Sequence, residues 1–171
     1  MRPFRAVLLL SLLLASLAGC TPANEPLAAL ALRDGEPTVL LVGCGSAGAS
    51  IHLYEDSETA SASPSTGATA DRPEWSVRTD RAEPVNEIPL LDPTPPANWT
   101  VNRSSLQRIE PGVWYGISAY GHRDAFTVRF ETDAFTKLDG EHVLAPVSHR
   151  KQEVMTRASF ERNARQACED S

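Results

Sequence analysis

Two short runs of alternating side chains constrain this fold more than any other feature of the chain. Val113, Tyr115, Ile117 and Ala119 recur at every second position, the polar segment Gly121-His122-Arg123-Asp124 follows, and Phe126, Val128 and Phe130 then alternate with Thr127, Arg129 and Glu131. A period of two puts one set of side chains on one face of a strand, so the spacing predicts a β-hairpin with one buried face. Phe126, Val128 and Phe130 are expected to anchor a core, at about 25 cal/mol for each Å² of apolar surface removed from water.

Just upstream, Leu106, Ile109, Pro111-Gly112 and Tyr115 precede the alternating apolar residues. This pattern resembles the tyrosine corner of fibronectin type III and related immunoglobulin-like sandwiches. The resemblance implies that Leu106 and Ile109 point inward, that Pro111-Gly112 turns the chain between sheets, and that the Tyr115 hydroxyl reaches back to a backbone group a few residues upstream. It covers about fifteen residues and implies a fold, with no ligand attached. The expected architecture is mostly β: an immunoglobulin-like or fibronectin-type-III-like sandwich with a short C-terminal helix.

Other segments fit that class. Pro37 to Val42, Ala49 to Tyr54, Trp75 to Arg78, Glu87 to Leu91, Trp99 to Ser104 and His142 to Ala145 read as strands, the last being the final one, with Pro89 confining its segment to a sheet edge or to irregular chain. Asp133 to Leu138 reads as one helical turn capped by Asp133 and closed by Gly140. Thr156 to Cys168 reads as a helix capped by Thr156, with Phe160, Ala164, Ala167 and Cys168 on one face. Residues 55–72 are rich in Ser, Thr and Pro and lack large apolar side chains, as expected of a mobile surface loop.

The N-terminus carries an address. Arg2 and Arg5 precede an apolar run from Val7 to Leu17, shorter than the roughly 18–20 residues needed to span a bilayer, and small residues Ala18-Gly19 precede Cys20. Leu17-Ala18-Gly19-Cys20 resembles the lipobox of bacterial lipoproteins, and the layout of the whole chain resembles lipoproteins of high-GC Gram-positive bacteria. The resemblance implies that residues 1–19 are a signal peptide and that Cys20 is acylated and becomes the new N-terminus. The membrane is then a partner through lipid on Cys20, on the extracytoplasmic face. Residues 20–36 are expected to be a tether, with Leu27 to Leu32 a short helical turn within it, and residues 37–171 a single domain.

With Cys20 committed to lipid, Cys44 and Cys168 remain as an even pair in an exported, oxidising setting, expected to form a disulfide. Two buried thiols are the alternative. Loss of Arg2 and Arg5 with residues 1–19 changes the formal charge from −6 to −8. An acidic balance of this size disfavours nucleic acid as a partner.

No constellation points to catalysis. Gly43-Cys44-Gly45-Ser46-Ala47-Gly48 matches G-x-G-x-x-G after a predicted strand, but the residues that follow alternate as a strand does, where a dinucleotide site needs a helix. It reads as a turn that places Cys44. His52, His122, His142 and His149 are scattered, without i, i+4 pairing, so no metal site is expected; no G-x-S-x-G elbow is present, and no cofactor is implied. Trp114 and Tyr120 fall on the face opposite Tyr115 and Ile117, with Trp75 and Trp99 near irregular segments. They form either a binding surface or a face covered by the C-terminal helix or by residues 27–32. The leading expectation is a non-catalytic binding module for an unknown envelope protein or small ligand; a structural or assembly lipoprotein comes next, and a small extracytoplasmic enzyme last.

Overall fold

The computed structural model describes residues 24–56 and 72–170. Leu17 to Cys20, where a lipobox is expected, and residues 57–71 of the Ser/Thr-rich segment lie outside the described residues. The described chain forms strands β1 (Ala28–Arg33), β2 (Glu36–Val42), β3 (Ala49–Glu55), β4 (Glu74–Thr79), β5 (Val85–Pro89), β6 (Thr100–Ser104), β7 (Tyr115–Tyr120), β8 (Val128–Phe130), β9 (His142–Ser148) and β10 (Lys151–Thr156), then helix α1 (Arg157–Glu169). Two five-stranded antiparallel sheets pack as a sandwich, in the orders β10-β9-β1-β2-β5 and β6-β4-β3-β7-β8. Lettered as an immunoglobulin sandwich, β1, β2 and β5 take positions A, B and E, while β3, β7 and β8 take C, F and G. Strands β4 and β6 extend the second sheet; β9 and β10 extend the first.

Register decides which side chains meet. Leu30 lies opposite Val39, and Val39 opposite Ile88, so these three share the inner face of the first sheet. Leu53 lies between Trp75 and Ile117, and Ile51 between Val77 and Ala119, on the inner face of the second. Tyr115 and Phe130 are cross-strand partners with ring centroids 5.7 Å apart, and both are fully buried. Phe126 departs from the expectation. Between Ala125, whose amide donates to Ala119 O, and β8 the chain leaves the ladder, which shifts the alternation by one residue: Ala125 is buried and Phe126 only half-buried.

The corner is built around Tyr115, whose hydroxyl accepts a hydrogen bond from the Glu110 amide at 2.9 Å. Leu106 is buried, Ile109 packs at the margin of the core, and Gly112 sits at φ +77° in the turn after Pro111. The corner joins β6 to β7, which belong to one sheet with β4 and β3 between them, so Pro111-Gly112 does not carry the chain between sheets.

Leu27 to Leu32 is no helical turn in a tether. It supplies β1, paired with β2 on one side and β9 on the other, with Leu27 to Leu30 fully buried. Its Ala-Leu composition favours a helix locally, but burial on both faces of a central strand overrides that preference. Asp34 and Gly35, both at positive φ, close the β1–β2 hairpin in two residues. The glycine hexapeptide is the turn from β2 to β3. A Cβ at Gly43 would stand 2.8 Å from Glu83 O, and one at Gly48 2.9 Å from Thr79 O, so close backbone approach is what these glycines permit.

At the other end, His142 to Ala145 is not the last strand, because β10 follows it on the sheet edge with mostly exposed side chains. The predicted turn at 133–138 is a 3₁₀ segment, Thr132–Lys137, that starts after Glu131; Asp133 lies within it and does not cap it. Helix α1 starts at Thr156, whose hydroxyl accepts from the Ser159 amide. Phe160 and Ala164 are buried, and α1 packs against β2, β9 and β10. Cys168, at its last turn, is disulfide-bonded to Cys44 with Cα atoms 5.1 Å apart. Glu87, on the helix-facing side of β5, is clamped by Arg157 of α1 and by Arg33 of β1. The Arg157 hydrogen bond, assisted by Arg33, holds its carboxyl below the ordinary glutamate value of 4.5.

Candidate functional site

The two outer sheet faces differ. Helix α1 lies on the first; no described element covers the second, where Ser50, His52 and Tyr54 of β3 point outward, opposite in phase to buried Ile51 and Leu53. Glu74 and Ser76 of β4, Gly116, Ser118 and Tyr120 of β7 and Arg129 of β8 share that face by register. Neither of the covers expected for the aromatics reaches it, since α1 and β1 both belong to the opposite side of the sandwich. Trp114 is 39 % exposed and Tyr120 47 %. Trp75 and Trp99 belong to the core, at 1 % and 5 %.

Tyr54 is the centre of the face. Its ring stands against Gly116, where a Cβ would approach it to 2.7 Å, and its hydroxyl joins a hydrogen-bonded chain to Ser118 (3.1 Å) and on to Thr127 (3.0 Å). A cavity opens on each side of it. One, of about 510 Å³, is lined by His52, Tyr54, Arg72, Glu74, Asn102, Arg103 and Tyr120. The other, a groove of about 520 Å³, runs between β8 and the β9–β10 turn and has Asn24, Trp114, Phe126, Arg129, Arg150 and Lys151 among its walls. Trp114 and Tyr120 therefore line different cavities and form no single patch.

In the first cavity His52 is held from both nitrogens: Nδ1 lies 2.5 Å from Glu74 Oε1 and Nε2 3.2 Å from Ser50 Oγ, with the Tyr120 ring edge-on at 5.4 Å. Arg103 reaches Glu74 at 3.4 Å, and the Arg72 guanidinium lies over the Tyr54 ring. A hydroxyl, an imidazole and a carboxylate in this order have the geometry of a nucleophilic relay. Strand β3 is paired on both flanks, however, so the amides that would stabilise an oxyanion beside Ser50 are already used in the ladders. The arrangement places an imidazole, two guanidinium groups and two aromatic rings around an open cavity.

In the second cavity Arg129 pairs with Asp56 and lies over the Trp114 ring. The Gln152 side chain takes the place of a neighbouring strand: it accepts from the Arg129 amide at 3.1 Å and donates to the Arg129 carbonyl. That closes the outer edge of β8.

The other histidines sit apart from His52, with His142 near Asp139, His149 edge-on to Phe126 and His122 exposed. Among the described residues no group of three or more His, Cys, Asp or Glu side chains is placed to hold a metal ion, and no helix is long and apolar enough to cross a membrane. Sequence reasoning singled out Trp114 and Tyr120 but missed Tyr54, His52, Glu74 and Arg103. The outward phase of His52 and Tyr54 on β3 was a signal for two of them; the pairing of β4 and β6 was not readable. The chain matches no protein-family model, no curated protein and no solved structure.

Proposed function

We propose that this chain is a lipid-anchored, extracytoplasmic binding module without catalytic activity, held to the cell membrane through Cys20 and presenting the uncovered face of its second sheet to a small ligand or an envelope protein. The observation that carries the reading is the cavity around His52, Tyr54 and Tyr120, where rings and charged groups are held in place on a face that no described element covers. A rigid sheet that fixes its side chains before the ligand arrives reduces the ordering cost of binding.

A photo-crosslinking residue placed at Tyr120 in cells, compared with one at exposed Arg162 on α1, tests the reading. Capture of a discrete product from position 120 alone, lost in a His52→Ala background, is the expected outcome. Equal capture from both positions favours an assembly role, and no capture from position 120 overturns the proposal. The anchor is tested separately by fatty-acid labelling of the full chain, which Cys20→Ser should abolish.

A further inference from the structure

We propose that the Trp114 groove seats the domain on an anionic phospholipid surface, so that the membrane contacts the domain itself as well as the anchor. The inference rests on the lipid-anchor reading of Cys20. Asn24 lines the groove, and the next residue, Glu25, is fixed: its amide donates to Asp124 O at 3.0 Å, its carbonyl accepts from the Phe126 amide at 2.9 Å, and its carboxylate meets Arg123 at 3.3 Å. From Cys20 to Asn24 is four residues, a reach of at most about 14 Å when fully extended. An acylated Cys20 in the headgroup layer therefore brings the groove to the lipid surface.

The chemistry of the groove suits that neighbour. Three cations, Arg129, Arg150 and Lys151, face one carboxylate, Asp56, in a protein whose overall charge is negative. Arg129 pairs with Asp56 and Lys151 with Glu153, while Arg150 has no ion-pair partner among the described residues. Trp114, Tyr54 and Phe126 add rings with an apolar body, and Trp and Tyr side chains favour the depth of lipid headgroups. Cations near an anionic leaflet are attracted within a Debye length, so the charge acts only if the groove is held close, which the short tether does.

The test uses residues 20–171 carrying Cys20→Ser, without lipid and without the apolar run of residues 1–19 that would itself enter a bilayer. Sedimentation is measured with vesicles of phosphatidylcholine alone and with about a third phosphatidylglycerol. We expect at least about fivefold more protein on the anionic vesicles, a decline with added salt, and loss of that preference in Arg150→Glu/Lys151→Glu. Trp75 and Trp99 are buried, so a blue shift of tryptophan emission on the vesicles reports Trp114 and should vanish in Trp114→Phe. If the charge-reversal variant does not fold, the salt dependence and the Trp114 shift of the parent protein decide. Equal binding to both vesicle types overturns the proposal, as does a Trp114 response to inorganic phosphate without vesicle binding, which makes the groove a small-anion site. Fatty-acid labelling of Cys20 with no vesicle preference removes only the groove inference. A vesicle preference without labelling removes the anchor.

Discussion

The Tyr115 hydroxyl accepts the main-chain N–H of Glu110, five residues upstream, at 2.9 Å, and so ties the start of β7 to the turn that leads into it. Tyr115 is fully buried, so its removal leaves that amide without its partner. Tyr115→Phe should lower stability by about 1–2 kcal/mol, measured by urea unfolding, with little change in the slope of the transition. An unchanged midpoint would show that the corner contributes shape and no energy.

Phe130 and Phe126 are four residues apart, yet only Phe130 is in the core. Phe130→Ala should cost about 3–5 kcal/mol. Phe126→Ala, at a half-buried groove position, should cost under about 1.5 kcal/mol by the same measurement. Comparable losses would mean that the alternation continues unbroken through Thr127.

The Cys44–Cys168 bridge spans 124 residues of sequence, for which the chain-entropy account gives roughly 4–5 kcal/mol. Denatured, unreduced residues 20–171 carrying Cys20→Ser should show no reactive thiol, and two after reduction. Reduction should lower the thermal midpoint, and two thiols before reduction would refute the bridge.

Glu87 gives the domain a dependence on acid. Its folded carboxyl titrates below 4.5 because Arg157 and Arg33 favour the charged form. A carboxylate with a depressed folded value stabilises the fold above its unfolded value and loses that contribution as pH falls through the folded one. Stability measured from neutral pH downward should therefore begin to fall near pH 4.5 and continue below it. Glu87→Gln should be less stable at neutral pH and converge on the parent protein in acid. A constant difference across that range would assign the loss to packing.

The sandwich was legible wherever a strand shows one face to the core. Ile51 and Leu53 alternate with His52 and Tyr54, and Phe160, Ala164 and Cys168 share a helix face, so β3 and α1 follow from spacing alone. Strand β1 was misread because Ala and Leu record hydrophobicity without period when both faces are buried, although the Asp34-Gly35 pair that closes its hairpin is a strong local turn signal. Strand β10, with Lys151 and Glu153 exposed on an edge, has no apolar phase to read. The candidate site was half legible for a related reason: β3 showed which of its own residues turn outward, but Glu74 reaches His52, and Arg103 reaches Glu74, only through the pairing of β4 with β3 and of β6 with β4.

The bridge from Cys44 to Cys168 also fixes what a protease can do. A single cut anywhere between these residues, in the Ser/Thr-rich segment for example, leaves two fragments still joined through sulfur. The domain can be nicked in place without losing a piece of itself, and separating β1 from the rest of the chain by one cut takes a break before Cys44.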